Sequence, residues 1–244
     1  MISRFQDIDT PQGQEQKAIP NKRGDFVAVL INTKLDALLE ATSRSFYPTL
    51  KYLPKKTRGQ IGQLYLLARV ADTIADSKHG KTEVLLDILK QYNNVAQGKS
   101  SELPDFSEIA AIQEDDNEAE LLRNVGDVVA GLSDYDDVDK GLILECLDII
   151  VEGQILDLQR FGVAKEGGTI TSLNSEEELD DYTYRVAGAV GVFWSKMSLT
   201  HLMKLPADKE EEFLQKGIRF GKSLQMINIL RDIPEDLRFG RCYL

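Results

Sequence analysis

The chain has 244 residues, 42% hydrophobic content and a formal net charge of −11. The length and apolar content suffice for one sizeable core. The acidic balance argues against nucleic acid or an anionic membrane as a non-specific partner, because both attract clustered Lys and Arg. Cys146 and Cys242 match no metal-ligand spacing and favour a reducing compartment. No apolar run reaches the roughly 18 residues that span a bilayer, so we expect a soluble, cytoplasmic protein.

In chain order, the first 24 residues are polar and predict a mobile tail. Helical periodicity dominates the sequence after this tail, and almost nothing alternates with period two, so strands are not expected. The first helix is predicted at 25–42, with an apolar stripe made of Phe26, Val29, Leu30, Thr33, Ala37 and Leu38. Further helices are predicted at 54–76, 82–97, 117–132 and 136–161, followed by a Gly-rich loop at 163–174.

Two more helical segments are predicted after this loop. Ser175 and Glu178 form the pattern of a capping box, which marks the start of a helix. Pro206 begins the last helix, which runs from about 207 to the 230s. The sequence therefore predicts one all-α domain over residues 25–244, with about eight helices.

The predicted helix at 54–76 ends in the segment RVADTIAD. Asp72 and Asp76 lie one turn apart in it, and Arg69 and Tyr65 precede them on the same face. The rest of this helix is apolar, so the acids are expected to point into the protein or a cleft, where carboxylates need partners or metals. One such pair alone is weak evidence, because 40 acids in 244 residues give about 6 to 7 pairs at this spacing by chance.

The last predicted helix contains NILRDIPED and carries a second polar stripe among Leu, Met and Ile. Its members, at spacings of three, four and four, are Gln225, Asn228, Asp232 and Asp236. The stripe could be the solvated face of an amphipathic helix, but it is rich in oxygen acceptors and poor in the Lys–Glu pairs typical of such a face. Pro234 disfavours helical backbone at the residue before it, so the helix is expected to kink or end there.

Two such helices facing one another would place four carboxylates around a cavity. Mg²⁺ suits this arrangement, because it prefers oxygen ligands and keeps positions for water and phosphate oxygens. Arg69 and Arg231, beside the two acid pairs, could then bind phosphate oxygens through bidentate hydrogen bonds. The paired motif therefore favours a magnesium-dependent diphosphate site, provided that both acid pairs face the same cavity.

Two further segments carry polar or small residues at helical spacing. SRSF, residues 43–46, places two hydroxyls and Arg44 at the predicted end of the first helix. YTYRVAGAVG, residues 182–191, contains four small residues that leave room for close helix packing or for an elongated ligand. Packing is the commoner reason for such a stripe, and Tyr182 would add a phenol to the same cavity.

The chain resembles the squalene/phytoene synthase family in four segments, taken in order: SRSF, YLLARVADTIAD, YTYRVAGAVG and QMINILRDIPEDLRFGRCYL. The resemblance covers nearly all of residues 40–244. It implies an all-α, isoprenoid synthase type bundle around a central cavity, which couples two prenyl diphosphates, farnesyl or geranylgeranyl, head to head. It also implies Mg²⁺ between the two Asp-rich helices. The implied reaction passes through a cyclopropylcarbinyl diphosphate intermediate, which ionises and rearranges, and it ends in reduction by NADPH or in proton loss.

The resemblance also implies roles for individual residues. The implied metal ligands are Asp72, Asp76, Asn228, Asp232 and Asp236. The implied diphosphate-binding residues are Ser43, Arg44, Ser45, Arg69 and Arg231. The implied catalytic residues at the reacting centre are Tyr65, Tyr182 and Gln225, with Tyr182 as the candidate proton shuttle.

The favoured product is squalene, or its presqualene intermediate, made from farnesyl diphosphate, because SRSF and DTIAD look closer to squalene synthases than to phytoene synthases. Within the family, the alternative is phytoene or dehydrosqualene formation without NADPH. A non-catalytic assembly or scaffold protein is the alternative of another class, and retention of all four aspartates argues against it. A plain helical interaction domain does not explain two matched polar stripes. Release of an apolar product would favour peripheral membrane contact.

Two departures from the family pattern stand out. Many squalene synthases have an acid immediately before the second Asp of the first motif, where this chain has Ala75. Family members also continue for several helices beyond the position of Leu244. Those helices would close one wall of the cavity, so full activity is not expected of these 244 residues alone.

Overall fold

A computed structural model describes residues 33–77 and 80–244, and this part of the chain is all-α, as predicted. The polar tail predicted at 1–24 and the first residues of the helix predicted at 25–42 lie outside the described residues. Among the helices that the structure describes, none is long and apolar enough to cross a membrane.

Eleven α-helices make up most of the described residues. In chain order they are α1 (Thr33–Ser43), α2 (Tyr47–Lys51), α3 (Lys55–Ala75), α4 (Thr82–Ala96), α5 (Ser107–Ala111), α6 (Asp116–Arg123), α7 (Val125–Ala130), α8 (Asp137–Phe161), α9 (Glu176–Thr183), α10 (Ala189–His201) and α11 (Ala207–Arg238). Short 3₁₀ turns occupy Arg44–Phe46 and Gly131–Asp134, and a π-helical turn, Tyr184–Gly188, joins α9 to α10.

The long helices match the sequence prediction, and the differences have local causes. The segment predicted as one helix at 117–132 is divided between α6 and α7 at Asn124. The Asn124 side-chain amide donates to the Glu120 carbonyl at 2.7 Å and to the Glu120 carboxylate at 2.8 Å. Such local side-chain hydrogen bonds compete with the helical backbone pattern, so the helix ends there and restarts.

The face of the first helix that was predicted to be buried is partly wrong. Thr33 and Ala37 are exposed, although Leu38 is buried as predicted. The side chains that α1 buries are Leu35, Leu38, Leu39, Thr42 and Ser43.

Two short strands lie where none was expected. β1 (Thr171–Ser172), in the predicted loop at 163–174, pairs in parallel with β2 (Arg241–Cys242). Their backbone hydrogen bonds run from Thr171 N–H to the Gly240 carbonyl, 2.9 Å, and from Leu173 N–H to the Cys242 carbonyl, 3.0 Å. Strands of two residues are too short to show alternation in the sequence, but this pair fixes the end of the chain against the loop.

The apolar core lies between α3 and α8, with α1, α4, α6 and α10 around them. Leu66, Leu67 and Ile74 of α3 and Ile143 and Leu147 of α8 are fully buried. Each such side chain stabilises the fold by about 1.5–3 kcal/mol relative to an exposed one. Because this face of α3 is buried in the core, its opposite face is left to line a cavity.

The backbones of α10 and α11 approach each other closely at glycines. A Cβ atom on Gly191 would lie 2.0 Å from the Gly217 carbonyl oxygen, and one on Gly221 would lie 2.2 Å from the Ala187 carbonyl oxygen. Since Gly191 meets Gly217 and Ala187 meets Gly221, the two helices run antiparallel here. The small residues of 187–191 therefore serve close helix packing, which brings the polar stripe of α11 to the cavity.

Candidate active site

The first acid pair lies at the carboxyl-terminal end of α3. Asp72 is in the last turn, and Asp76 follows the helix directly, with its N–H bonded to the Asp72 carbonyl at 2.8 Å. The last turn of α3 contains no basic residue. Acids at this end of a helix meet the negative pole of the helix dipole. The two acids and the helix dipole therefore both favour a cation bound at the end of α3.

The second acid pair lies near the carboxyl-terminal end of α11. Of the kink or end expected at Pro234, the end is wrong, because α11 continues to Arg238 with Pro234 inside it; the kink stays a prediction. Asp232 and Asp236 therefore keep their spacing of one helical turn. The two acid pairs come from different helices, and both occupy positions near helix ends where the dipole is negative.

Both acid pairs line one cavity of about 330 Å³. The other predicted site residues that line this cavity are Tyr182, Gln225 and Asn228. Its apolar wall consists of Ala68, Ile150, Val186, Val190 and Ile229. Hence seven of the thirteen residues implied by the resemblance lie around one space that acidic and apolar side chains line together.

The carboxyl groups in this cavity titrate abnormally. Burial by the surrounding protein and the neighbouring Asp76 carboxylate raise the pKa of Asp72 to about 7, although 40% of its side chain still faces the open cavity. Burial also raises the pKa of Asp76 and of Asp236, while the nearby Arg241 lowers both. Asp232 differs, because the hydrogen bonds from Arg231 lower its pKa. Three of the four acids are thus poorly stabilised as anions.

A second recess of about 230 Å³ adjoins the cavity and shares Asp76 with it. Arg44 lines this recess, where its Nη2 donates to Asp115 at 2.5 Å and lies 3.5 Å from Glu118. Arg69 donates to the same Glu118 carboxylate at 3.1 Å, and its Nη1 lies 3.8 Å from the Asp72 carboxylate. Two of the predicted diphosphate-binding arginines therefore meet at one glutamate beside the acid pair of α3.

Four predicted site residues lie elsewhere or cannot be placed. The Ser43 hydroxyl is buried and donates to the Leu39 carbonyl of its own helix at 2.5 Å. Tyr65 donates to the Thr42 carbonyl at 3.4 Å and stacks on Phe46, and it is not among the cavity-lining residues.

Arg231 is exposed and forms two hydrogen bonds with the neighbouring Asp232, at 2.7 and 2.6 Å. It is likewise not among the residues that line the cavity. The Ser45 side chain lies outside the described part of the structure. The roles implied for all thirteen residues remain predictions.

The cavity also contains four polar residues that the sequence did not single out: Gln154, Asp157, Arg241 and Tyr243. Gln154 donates to the Asp72 carboxylate, and Arg241 lies 3.8 Å from the Asp76 carboxylate. A signal for two of them exists, since Gln154 and Asp157 are polar at a helical spacing of three within the apolar stretch of α8. Arg241 and Tyr243 reach the cavity only through the strand pairing of β2, for which the sequence carries no signal.

The oxygen-rich acidic side of the cavity fits a hard divalent cation such as Mg²⁺. The supporting observations are the two acid pairs near helix ends and the raised pKa values of Asp72, Asp76 and Asp236. Within residues 33–77 and 80–244, no three His, Cys, Asp or Glu side chains lie close enough together to hold one metal ion by themselves. A Mg²⁺ ion is usually bound by one or two carboxylates together with water and phosphate oxygens, and the acids of this cavity could bind it in that way.

Comparisons with known proteins agree on one family. The model of the squalene/phytoene synthase family matches residues 39–244. A presqualene diphosphate synthase of Rhodopseudomonas palustris is 30% identical over 206 residues, which cover 84% of this chain and 59% of that protein. The squalene synthase of Homo sapiens is 25% identical over 232 residues, which cover 94% of this chain and 50% of that protein.

A bifunctional lycopene cyclase/phytoene synthase of Gibberella fujikuroi is 26% identical over 224 residues, which cover 85% of this chain and 34% of that protein. The chain thus spans between about a third and three fifths of the curated relatives it matches. The solved structure of TcSQS with the ligand E5700 has a TM-score of 0.61 at 21% identity, over 83% of this chain and 54% of that chain. That likeness concerns the fold, and it confirms the predicted isoprenoid synthase type of all-α bundle.

Four sequence segments, the helical fold and the family match over residues 39–244 lead to the same result. The chain belongs to the squalene/phytoene synthase family.

Proposed function

We propose that this chain carries the site for a Mg²⁺-dependent, head-to-head condensation of two prenyl diphosphates, the reaction of its family. One observation supports the proposal above all others: acids from α3 and from α11 line the same cavity, together with apolar side chains. Acidic groups for cations and apolar groups for hydrocarbon are what a prenyl diphosphate requires. A scaffold would need neither.

The residues that would hold Mg²⁺ are Asp72, Asp76, Asn228, Asp232 and Asp236. When bound, Mg²⁺ would supply positive charge that stabilises the departing diphosphate. Gln154, which donates to Asp72, would fix the orientation of that carboxylate. Such support from the residues behind a metal ligand is a common requirement of metal sites.

The diphosphate of a substrate would bind beside these acids, at the recess that Arg44 lines and next to Arg69. Both guanidinium groups contact Glu118 in the structure. A diphosphate would offer them stronger acceptors, because guanidinium groups bind phosphate oxygens through paired, charge-assisted hydrogen bonds. Arg44 and Arg69 would then orient the leaving group while Glu118 gives up part of its contacts.

The apolar and aromatic wall would protect the carbocation. In the first step the C–O bond of one substrate breaks, the diphosphate takes the electron pair, and an allylic cation remains. The cation attacks the double bond of the second substrate, and ring closure releases one proton to give a cyclopropylcarbinyl diphosphate. Ile150, Val186 and Val190 would exclude water from this cation, and the face of Tyr182 would stabilise its charge.

The Tyr182 hydroxyl is the candidate for proton transfer in this cavity. Burial and the negative charge of Asp157 raise its pKa, so the phenol stays protonated at neutral pH. Its oxygen accepts a long hydrogen bond from the Gln225 side-chain amide, 3.5 Å, and the Gln225 side-chain oxygen accepts one from the Asn228 side-chain amide, 3.3 Å. Gln225 and Asn228 would therefore orient the Tyr182 hydroxyl in the cavity.

We propose farnesyl diphosphate as the substrate and presqualene diphosphate as the first product. The 30% identity to a protein named presqualene diphosphate synthase supports this choice. Reduction to squalene would need NADPH as hydride donor. Formation of phytoene or dehydrosqualene by proton loss is the second candidate, and the relative named lycopene cyclase/phytoene synthase supports it.

The test is incubation of the protein, including any residues that follow Leu244, with Mg²⁺ and either farnesyl or geranylgeranyl diphosphate, with and without NADPH, followed by chromatography of the extracted products. We expect presqualene diphosphate from farnesyl diphosphate without NADPH, and no product when EDTA removes the metal. Squalene only with NADPH would add the reductive step. Consumption of geranylgeranyl diphosphate alone would favour the phytoene reaction, and consumption of neither substrate would contradict the proposed activity.

A further inference from the structure

The C-terminal segment, residues 239–244, forms one side of the cavity. Gly240 adopts φ of +81°, a left-handed backbone that favours glycine, and so turns the chain away from α11. The pairing of β2 with β1 then holds the segment in place. Since successive residues of an extended chain point to opposite sides, Arg241 and Tyr243 both face the cavity.

Tyr243 contacts three side chains, two of which line the cavity. Its hydroxyl donates to the Asp157 carboxylate at 2.5 Å. Its ring stacks on the ring of Tyr182, with centroids 4.5 Å apart and an angle of 24° between the planes. The edge of Phe161 packs against it, with centroids 5.1 Å apart. Tyr243 is 6% exposed, so these contacts enclose almost the whole side chain.

Asp157 of α8 is a buried carboxyl group with one unsatisfied oxygen. It is 7% exposed, and its Oδ1 has no hydrogen-bond partner among the described residues. Burying a carboxyl group with an unsatisfied oxygen costs free energy, and an apolar residue would suit this part of α8 better. A buried polar group of this kind needs an explanation beyond stability, and its hydrogen-bond partner among the described residues is the Tyr243 hydroxyl.

We propose that Asp157 and Tyr243 are positioning residues for Tyr182. This proposal rests on the proposed function of the cavity. Asp157 fixes the Tyr243 hydroxyl, and the Tyr243 ring fixes the plane of the Tyr182 ring by stacking. Gln225 contacts the Tyr182 hydroxyl from α11. The phenol is thereby held between the C-terminal segment and α11, in a fixed orientation towards the reacting centre.

The test uses the chain with its eight tyrosines replaced by 3-fluorotyrosine, observed by ¹⁹F NMR. The Tyr182→Phe variant identifies the Tyr182 resonance. Tyr243→Phe keeps the stacking ring but removes the hydrogen bond to Asp157, and Asp157→Leu removes the acceptor. We expect both to shift or broaden the Tyr182 resonance and to lower kcat by up to about 10²-fold with little change in KM, as misplacement of a reacting group does.

Two further variants separate positioning from simple stability. Asp157→Asn keeps an acceptor oxygen and should restore most of the wild-type resonance and kcat. Tyr92→Phe removes a hydrogen bond of similar burial, from the Tyr92 hydroxyl to the Leu67 carbonyl at 2.8 Å, outside the cavity. It should leave the Tyr182 resonance and kcat unchanged.

An unmoved Tyr182 resonance in both Tyr243→Phe and Asp157→Leu would overturn the proposal, and so would a moved resonance with unchanged kcat. The NMR measurement needs no turnover. A wild-type chain that consumes no prenyl diphosphate would therefore contradict the proposed function, while the resonance would still report whether Tyr243 holds Tyr182.

Discussion

Replacement of Asp72 by Asn is expected to lower kcat by at least about 10²–10³-fold, the usual effect of losing one preorganised electrostatic group. Asn keeps the size of the side chain and the hydrogen bond from Gln154 but removes the negative charge beside Asp76. The product assay with saturating Mg²⁺ measures the effect. Asp87→Asn, an exposed aspartate on α4, is the matched control and should retain wild-type turnover.

The same substitution is expected to leave the fold intact and to make it less sensitive to pH. Burial and Asp76 raise the pKa of Asp72 from 3.8 to about 7 in the folded chain. The folded state then holds this proton more tightly than the unfolded state, so stability falls as the pH rises from about 4 to about 7. As the pH rises from about 5 to about 8, the Tm of Asp72→Asn should thus fall less than the Tm of the wild type. Loss of folding would mean that Asp72 is structural.

Replacement of Gly191 by Ala is expected to destabilise the fold by about 3 kcal/mol or more, through overpacking. Its Cβ would lie 2.0 Å from the Gly217 carbonyl oxygen and 2.5 Å from the Gly217 carbonyl carbon. Backbone atoms cannot rotate aside, so α10 and α11 would have to separate. In thermal unfolding monitored by circular dichroism, this corresponds to a fall in Tm of about 6–12 °C.

Gly141→Ala is the matched control for this effect. Gly141 lies inside α8, and a Cβ there would meet no described atom within 4 Å. Alanine should therefore raise the stability by about 0.5–1 kcal/mol, the difference between the two residues inside a helix. A Gly191→Ala variant as stable as the wild type would contradict the close approach of α10 and α11.

The helices and the acid pairs could be predicted because their signals are local. Periodic apolar residues mark α3 and α8, and Asp72 and Asp76 stand out on a face of an apolar helix. The buried face of the first helix was less predictable, because burial depends on which helices pack around it. Thr33 and Ala37, for example, were expected on the apolar face but are exposed. Pro234 does not end the last helix, since a proline removes only one backbone N–H and α11 continues to Arg238.

The rest of the site depends on contacts between distant parts of the chain. Arg241 and Tyr243 enter the cavity because two-residue strands, 70 positions apart, happen to pair. The role proposed for Asp157 could not be predicted from the sequence, because it depends on the hydrogen bond from Tyr243, 86 residues away. Ser43 was placed at the site by resemblance alone, and Tyr65 also by its position on the face of α3 that carries Asp72. In the structure the Ser43 hydroxyl donates to the Leu39 carbonyl one turn earlier in its own helix, and the Tyr65 hydroxyl donates to the Thr42 carbonyl, 23 residues away.

The central claim is that the acids of α3 and of α11 act on one Mg²⁺–diphosphate. Calorimetric titration with inorganic diphosphate tests it directly, using the wild type, Asp72→Asn, Asp236→Asn and the double variant, with and without Mg²⁺. We expect binding only with Mg²⁺, a weakening of at least about tenfold in each single variant, and a double variant that loses less than the sum of both, because the two acids share one ligand. Equal binding without Mg²⁺, or an unchanged affinity in either single variant, would contradict the claim.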